Sequence, residues 1–271
     1  MAARVRTVSQ RDKQAVAESF SKAASSYDSV AELQRSVGTE LIAMLRTVRS
    51  SADLTDCLVD LGSGTGFFTE MLARHYPDAH TFGLDIAHGM LHYAQGCRSD
   101  RLGWFGGDME SMPLATGSVS IFFSSLAVQW CENLPAFFTE VERCLMPNGI
   151  LALATLGPQT LFELRDSWRQ VDEYTHVNEF VAIDHVRKLA SDSGLQEIEV
   201  QQAPRVMHYP SLRELTHELK ALGAHNVNHQ RAPGLTGPAK IKKLRDCYEH
   251  YRTLSGLPAS YQVCWLLLGK G

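Results

Sequence analysis

Between Cys57 and Leu156 the chain repeats one pattern, a short apolar run followed by a turn and a helix-length amphipathic stretch. CLVDLG (57–62), HTFGLD (80–85), LGWFGGD (102–108), SVSIFFSS (118–125) and GILALATL (149–156) read as strands. TGFFTEMLARHY (65–76), AHGMLHYAQGC (87–97) and NLPAFFTEVERCLM (133–146) read as helices. Apolar strands that alternate with helices are covered on both faces, which calls for a parallel sheet with right-handed crossovers. Two further strands, 195–202 and 260–269, follow. The spacing therefore predicts an α/β, Rossmann-like, doubly wound and mostly parallel sheet of seven strands.

Apolar residues at helical spacing predict two helices over 11–48, with Ser25-Ser26-Tyr27-Asp28-Ser29 as a break between them. Helical patterns return at 158–174, 182–194, 211–223 and 238–254. The expected organisation is an N-terminal helical lid (1–50), a cofactor-binding core (51–203), a helical insertion (204–256) and a closing strand (257–271).

The first strand ends in Asp60-Leu61-Gly62-Ser63-Gly64-Thr65-Gly66, and the second ends in Asp85. Ligands of such sheets lie beyond the carboxyl ends of the strands, where glycine lets backbone approach closely and a carboxylate can take both ribose hydroxyls. A dinucleotide fingerprint needs its third glycine three residues after the second; here that place is Phe67, and Gly66 comes one residue early. Asp60 would repel a pyrophosphate but suits a cationic cofactor. Spacing and charge favour S-adenosylmethionine. After the third strand, Gly107-Asp108-Met109-Glu110 offers a carboxylate for the adenine amino group and an apolar side chain for its ring. Ile86, Met90 and Ser125, beside these strand ends, complete the expected cofactor set. DLGSGTG, LD and GDME on three successive strands resemble the class I S-adenosylmethionine-dependent methyltransferases.

Ser124-Ser125-Leu126-Ala127-Val128-Gln129-Trp130 follows the fourth strand, in place of the (N/D)PPY motif of amino-group methyltransferases. The segments KQAVAESFSKAASSYDSVAELQR, GDMESMPLATGSVSIFFSSLAVQWC, LKALGAHNVN and SYQVCWLLLGKG resemble the malonyl-[acyl-carrier-protein] O-methyltransferase (BioC) family across nearly the whole chain. Ser63 stands where that family usually carries Cys, and Gly237 where it carries Arg in an LTR triplet. The resemblance implies a cytoplasmic enzyme of biotin synthesis that esterifies the free carboxylate of a malonyl thioester. Its acceptor would ride on acyl carrier protein or coenzyme A. A malonyl carboxylate is ionised at neutral pH, so no catalytic base is expected and positioning carries the chemistry. Tyr27, Gln129 and Trp130 are the positioning candidates, although Tyr27 and Trp130 also suit plain packing. Arg205 and Arg231 are candidates for the acceptor carboxylate. Lys240, Lys242, Lys243 and Arg245 are candidates for an acidic carrier, or simply a solvated helix face. Arg143, a further cation for the acceptor, suits a solvated helix face better; His88, His176, His225 and His229 read as surface or packing residues. Two other readings stay open: a protein-modifying assembly factor on the same fold, and a cofactor-binding protein without catalysis.

Composition narrows the partners. A net charge of −4 lacks the basic footprint of a nucleic-acid binder. No apolar run reaches the ~18–20 residues that cross a membrane, and the first residues lack the apolar core of a secretory signal. Six scattered cysteines without a CxxC pair predict reduced thiols and no metal site.

Overall fold

Seven strands make one sheet in the computed structural model, which describes residues 12–50, 56–223 and 237–271. They are β1 (Cys57–Leu61), β2 (His80–Asp85), β3 (Gly103–Gly106), β4 (Val119–Ser125), β5 (Leu145–Leu156), β6 (Leu195–Tyr209) and β7 (Leu257–Lys270). Their order is β3-β2-β1-β4-β5-β7-β6. β1 to β5 are parallel, and β7 pairs antiparallel with both β5 and β6. The chain starts in the middle, winds out to β3 and returns at β4. The strand order thus reverses between β1 and β4, and a crevice opens there at the carboxyl ends.

The helices are α1 (Lys13–Val30), α2 (Glu32–Val48), α3 (Phe67–His75), α4 (His88–Cys97), α5 (Leu134–Cys144), α6 (Phe162–Arg169), α7 (Ile183–Asp192), α8 (Leu212–Ala221) and α9 (Pro238–Glu249). Side chains alternate across a strand, so Phe123 and Trp265 enter one core with Leu41 and Leu45 of α2, while Phe122 and Leu266 enter the other with Phe137 and Phe138 of α5. Trp265 is fully buried and its indole N–H donates to the Val37 carbonyl at 3.0 Å, which fastens the closing strand to α2.

Two expectations need correction. The serine-rich stretch 25–29 does not break the first helix; α1 runs to Val30 and the break falls at Ala31. Ser26 and Ser29 return their hydroxyls to the carbonyls of Ala23 and Ser26, a bond that leaves the helix intact. The strand expected to end at 202 continues to Tyr209, which pairs with Leu257. The boundary set at 204 therefore lies inside a strand, and the insertion helices leave the sheet only after Tyr209. Residues 224–236, between the helices expected at 211–223 and 238–254, lie outside the described residues.

Candidate active site

At the switch point β1 runs into a turn in which Gly62, Gly64 and Gly66 all take positive φ, at 70°, 53° and 74°. L side chains avoid this region and glycine does not. A Cβ on Gly62 would lie 2.3 Å from the Cβ of Ala127, so this turn closes only on a bare backbone. A Cβ on Gly64 would project into open space on the cavity side, a cradle for a ligand. Asp85 braces the turn from the neighbouring strand: its carboxylate accepts the Gly64 N–H at 2.8 Å and the Ala87 N–H at 2.7 Å. Burial pushes the Asp85 carboxyl pKa up, against these backbone donors. One lone pair on each oxygen remains for a diol.

The cavity above this turn encloses about 720 Å³ with its mouth and is lined by Asp85, Ile86, Met90, Asp108, Met109 and Ser125, among others. The Ser125 hydroxyl is buried there without a partner. Asp60, Ser63 and Gly66 do not line it. Asp60 lies buried and accepts the Thr69 hydroxyl at 2.6 Å. Loss of water pushes its carboxyl up to about 7; the Thr69 hydroxyl opposes this and the Asp85 charge adds to it. Gly66 caps α3 against the Trp104 ring, and Ser63 packs beside Gly83.

α1 roofs the cavity. Lys13, Val16, Phe20 and Tyr27 lie on one face of the helix and all line it. The Lys13 ammonium meets Asp108 at 2.6 Å and Glu110 at 2.8 Å. Asp108, expected to face adenine, is thus engaged by the lid as well as by its own turn, where it accepts the Glu110 N–H. Glu110 also accepts the N–H groups of Glu132 and Asn133 and anchors the start of α5. At the far end of α1, Asp28 accepts from Arg98 at 2.5 Å and from the Thr65 hydroxyl at 2.6 Å, which ties the lid to the glycine turn. Gly89 of α4 lets α1 approach so closely that a Cβ there would lie 2.7 Å from the Ser21 carbonyl. The sequence reading missed Lys13, Val16 and Phe20. Their 3–4–7 spacing up to Tyr27 was a usable signal.

A second cavity, about 1090 Å³ with its mouth, lies against the first, and Phe20, Tyr27, Leu126 and Trp130 line both. Phe20 and Trp130 meet edge-on at 5.3 Å. Burial pushes the Tyr27 phenol up, with the Asp85 and Asp28 charges adding, so it stays protonated. Gln129 lines only the second cavity, as do Gln34 and Asn178. His176, expected on the surface or in packing, also lines it: its ring stacks on Trp168 at 3.6 Å, and Nε2 meets Asp172 at 2.7 Å. Leu126 and Leu161, in its wall, both hold φ at 52°, the kind of local strain that tends to gather at functional sites.

The expected cations are elsewhere. Arg205 pairs with Glu40 at 2.6 Å, covers the Trp265 ring and lines neither cavity. Arg231, with His225 and His229, lies outside the described residues. Lys240 is taken by Asp172 at 2.8 Å. Burial opposes ionisation of Asp172, yet Lys240 and His176 hold its carboxyl down to about 2. Lys242, Lys243 and Arg245 are exposed on α9, Arg245 within 3.8 Å of Asp246. Arg143 is not a solvated side chain: it pairs with Glu140 and donates to the carbonyls of Met112 and Leu114. His88 packs beside Gly106.

A family model described as "Methyltransferase domain" matches residues 59–153. The Haemonchus contortus phosphoethanolamine N-methyltransferase 2, in complex with S-adenosyl-L-methionine, superimposes with a TM-score of 0.57 over 92% of this chain and 57% of its own, at 14% identity, a likeness of fold. The biotin biosynthesis bifunctional protein BioHC of Cellvibrio japonicus is 46% identical over 96% of this chain. The chain spans 50% of that relative's length. The malonyl-[acyl-carrier protein] O-methyltransferase of Hahella chejuensis is 38% identical over 93% of this chain and 88% of its own. With the switch-point cavity, the braced glycine turn and this full-length likeness together, the chain belongs to the malonyl-[acyl-carrier protein] O-methyltransferase family.

Proposed function

We propose that the chain methylates the free carboxylate of a malonyl thioester to its methyl ester, an early step of biotin (pimeloyl) synthesis, in the cytoplasm. The observation that carries this reading is the pair of cavities with one shared wall of Phe20, Tyr27, Leu126 and Trp130. Both are largely apolar; one lies at the strand ends beside Asp85 and Asp108, as a cofactor needs, and the other is wider and lies beyond the shared wall, as an acyl acceptor needs. S-adenosylmethionine, when bound, supplies an electrophilic methyl group on a sulfonium. Asp85 is suited to its ribose, Met109 and Ile86 to its ring, and the Ser125 hydroxyl offers a free hydrogen-bonding group. The bare backbone at Gly64 leaves room for it. Asp60 stands behind the turn, out of the cavity.

The chain's own residues position and shield. The carboxylate acceptor arrives ionised, so nothing on the chain needs to remove a proton. Tyr27 keeps its proton and can donate it in a hydrogen bond to that carboxylate at the cavity junction. Phe20 and Trp130 exclude water from the junction, which strengthens the charge interactions inside. The exposed Lys242, Lys243 and Arg245 on α9 form a basic face for an acidic acyl carrier protein. The test is S-adenosylhomocysteine release with malonyl-acyl carrier protein, malonyl-coenzyme A, succinyl-acyl carrier protein and no acceptor. Turnover confined to malonyl thioesters is expected. Equal rates with succinyl, or none with any acceptor, would overturn the assignment.

A further inference from the structure

The second cavity carries an unmet chemical demand. Three residues that line it, Gln34, Gln129 and Asn178, each carry an amide oxygen (Oε1, Oε1 and Oδ1) buried without a hydrogen-bond partner. Buried acceptors left this way are rare and destabilising, and they point to a donor that arrives with a ligand. The orientation of Gln129 is fixed by its own neighbour. Its Nε2 donates at 2.7 Å to the carbonyl of Leu126, a group that can only accept, so Oε1 is the atom left over. Leu126 is itself held at φ 52° and its N–H is spent on Ala154, so this carbonyl is rigidly aimed.

A carboxylate at the junction cannot answer these oxygens, because it offers only lone pairs. The part of the acceptor behind the carboxylate must supply hydrogen-bond donors, N–H or O–H. We infer that Gln129, with Gln34 and Asn178, recognises the two secondary-amide N–H groups and a hydroxyl of a pantetheine-type thioester arm threaded through the second cavity. This rests on the reading of that cavity as the acceptor site. The apolar residues between the amides, Leu156, Leu161, Leu164 and Phe180 among them, suit the methylene segments of such an arm. Gln129 then sets specificity for thioesters on an amide-bearing arm over simple acids and simple thioesters, and acts on binding, not on the methyl-transfer step.

Trp130 and Trp168 stand in the wall and report occupancy by fluorescence. The full chain is titrated with pantetheine and with an oligo(ethylene glycol) thiol of equal length, whose ether oxygens only accept. The wild type should bind pantetheine at least about tenfold more tightly. Gln129→Met keeps the length, removes the acceptor, and should weaken pantetheine roughly tenfold, the weight of one hydrogen bond, with the ether thiol unchanged. Equal binding of the two thiols by the wild type overturns the inference without any variant. An intact preference in a folded Gln129→Met protein also overturns it. Pantetheine preference without turnover of any malonyl thioester would strike the proposed reaction and leave the arm site standing; turnover with no preference would do the reverse.

Discussion

Asp85 is bonded to two backbone N–H groups, one in the glycine turn and one just beyond its own strand. Replacing it with alanine removes the diol partner and strands both donors, so S-adenosylhomocysteine affinity should fall at least about a hundredfold by calorimetry, two charge-assisted hydrogen bonds being at stake. An affinity within threefold of wild type would show that the ribose is held elsewhere. Asp60 titrates where few carboxylates do. Its folded value of about 7 exceeds the ordinary 3.8, so the folded chain retains a proton that the unfolded chain releases. The stabilisation linked to that proton is present below pH 4 and is lost as pH rises through 7. Ligand-free protein should lose Tm between pH 5 and 8, and Asp60→Asn should flatten the slope; an unchanged slope in the variant would place the titration on another group. Both carboxylates were legible in the sequence, because a glycine turn and a strand-ending acid announce themselves locally. What Asp60 touches was not, since Thr69 reaches it from the following helix and keeps it out of the cavity.

The lid belongs to the scale of elements. α1 packs between α4 and α8: the Gly89 N–H donates to the Ser21 hydroxyl, the Ser19 hydroxyl donates to the Gly223 carbonyl, and the Ser26 hydroxyl is shared between the carbonyls of Ala23 and Ala221. Gly89→Ala would force a Cβ against the backbone of Ser21, a clash that no rotamer relieves. Arg98→Ala would remove the ion pair that holds Asp28 beside the turn and leave only its Thr65 hydrogen bond. Each change should speed hydrogen exchange over residues 13–30 about tenfold or more, corresponding to ~1.4 kcal/mol of opening free energy, while exchange in β4 and β5 stays slow. Unaltered protection of α1 would mean that its contacts with α8 alone hold it closed. The existence and type of these helices were readable from their periodicity. Their partners were not: Lys13 meets Asp108 across ninety-five positions, and a serine-rich stretch that reads as a break stays helical when its hydroxyls find carbonyls.

Across the whole molecule, the acceptor cavity is a product of assembly. α1, α2, the turn after β4, α6, the segment after it and α8 each contribute to its wall, so no stretch of sequence carries its signature: His176 reads there as a surface or packing residue and Asn178 draws no reading. The carrier face on α9 makes a separate prediction. Lys242→Glu with Lys243→Glu should raise KM for malonyl-acyl carrier protein about tenfold at low salt and leave malonyl-pantetheine unaffected; equal effects on both would remove α9 from carrier docking. The insertion that bears α8 and α9 departs from β6 at Tyr209 and rejoins β7 at Leu257, two residues paired across neighbouring strands. Its ends are therefore clasped by the sheet whatever lies between them. Lengthening such a segment costs only about 0.6 kcal/mol per doubling, so this stretch can drift, be exchanged or be grafted while the methyl-donor half is inherited unchanged. New acceptors can be acquired by descent at one hairpin.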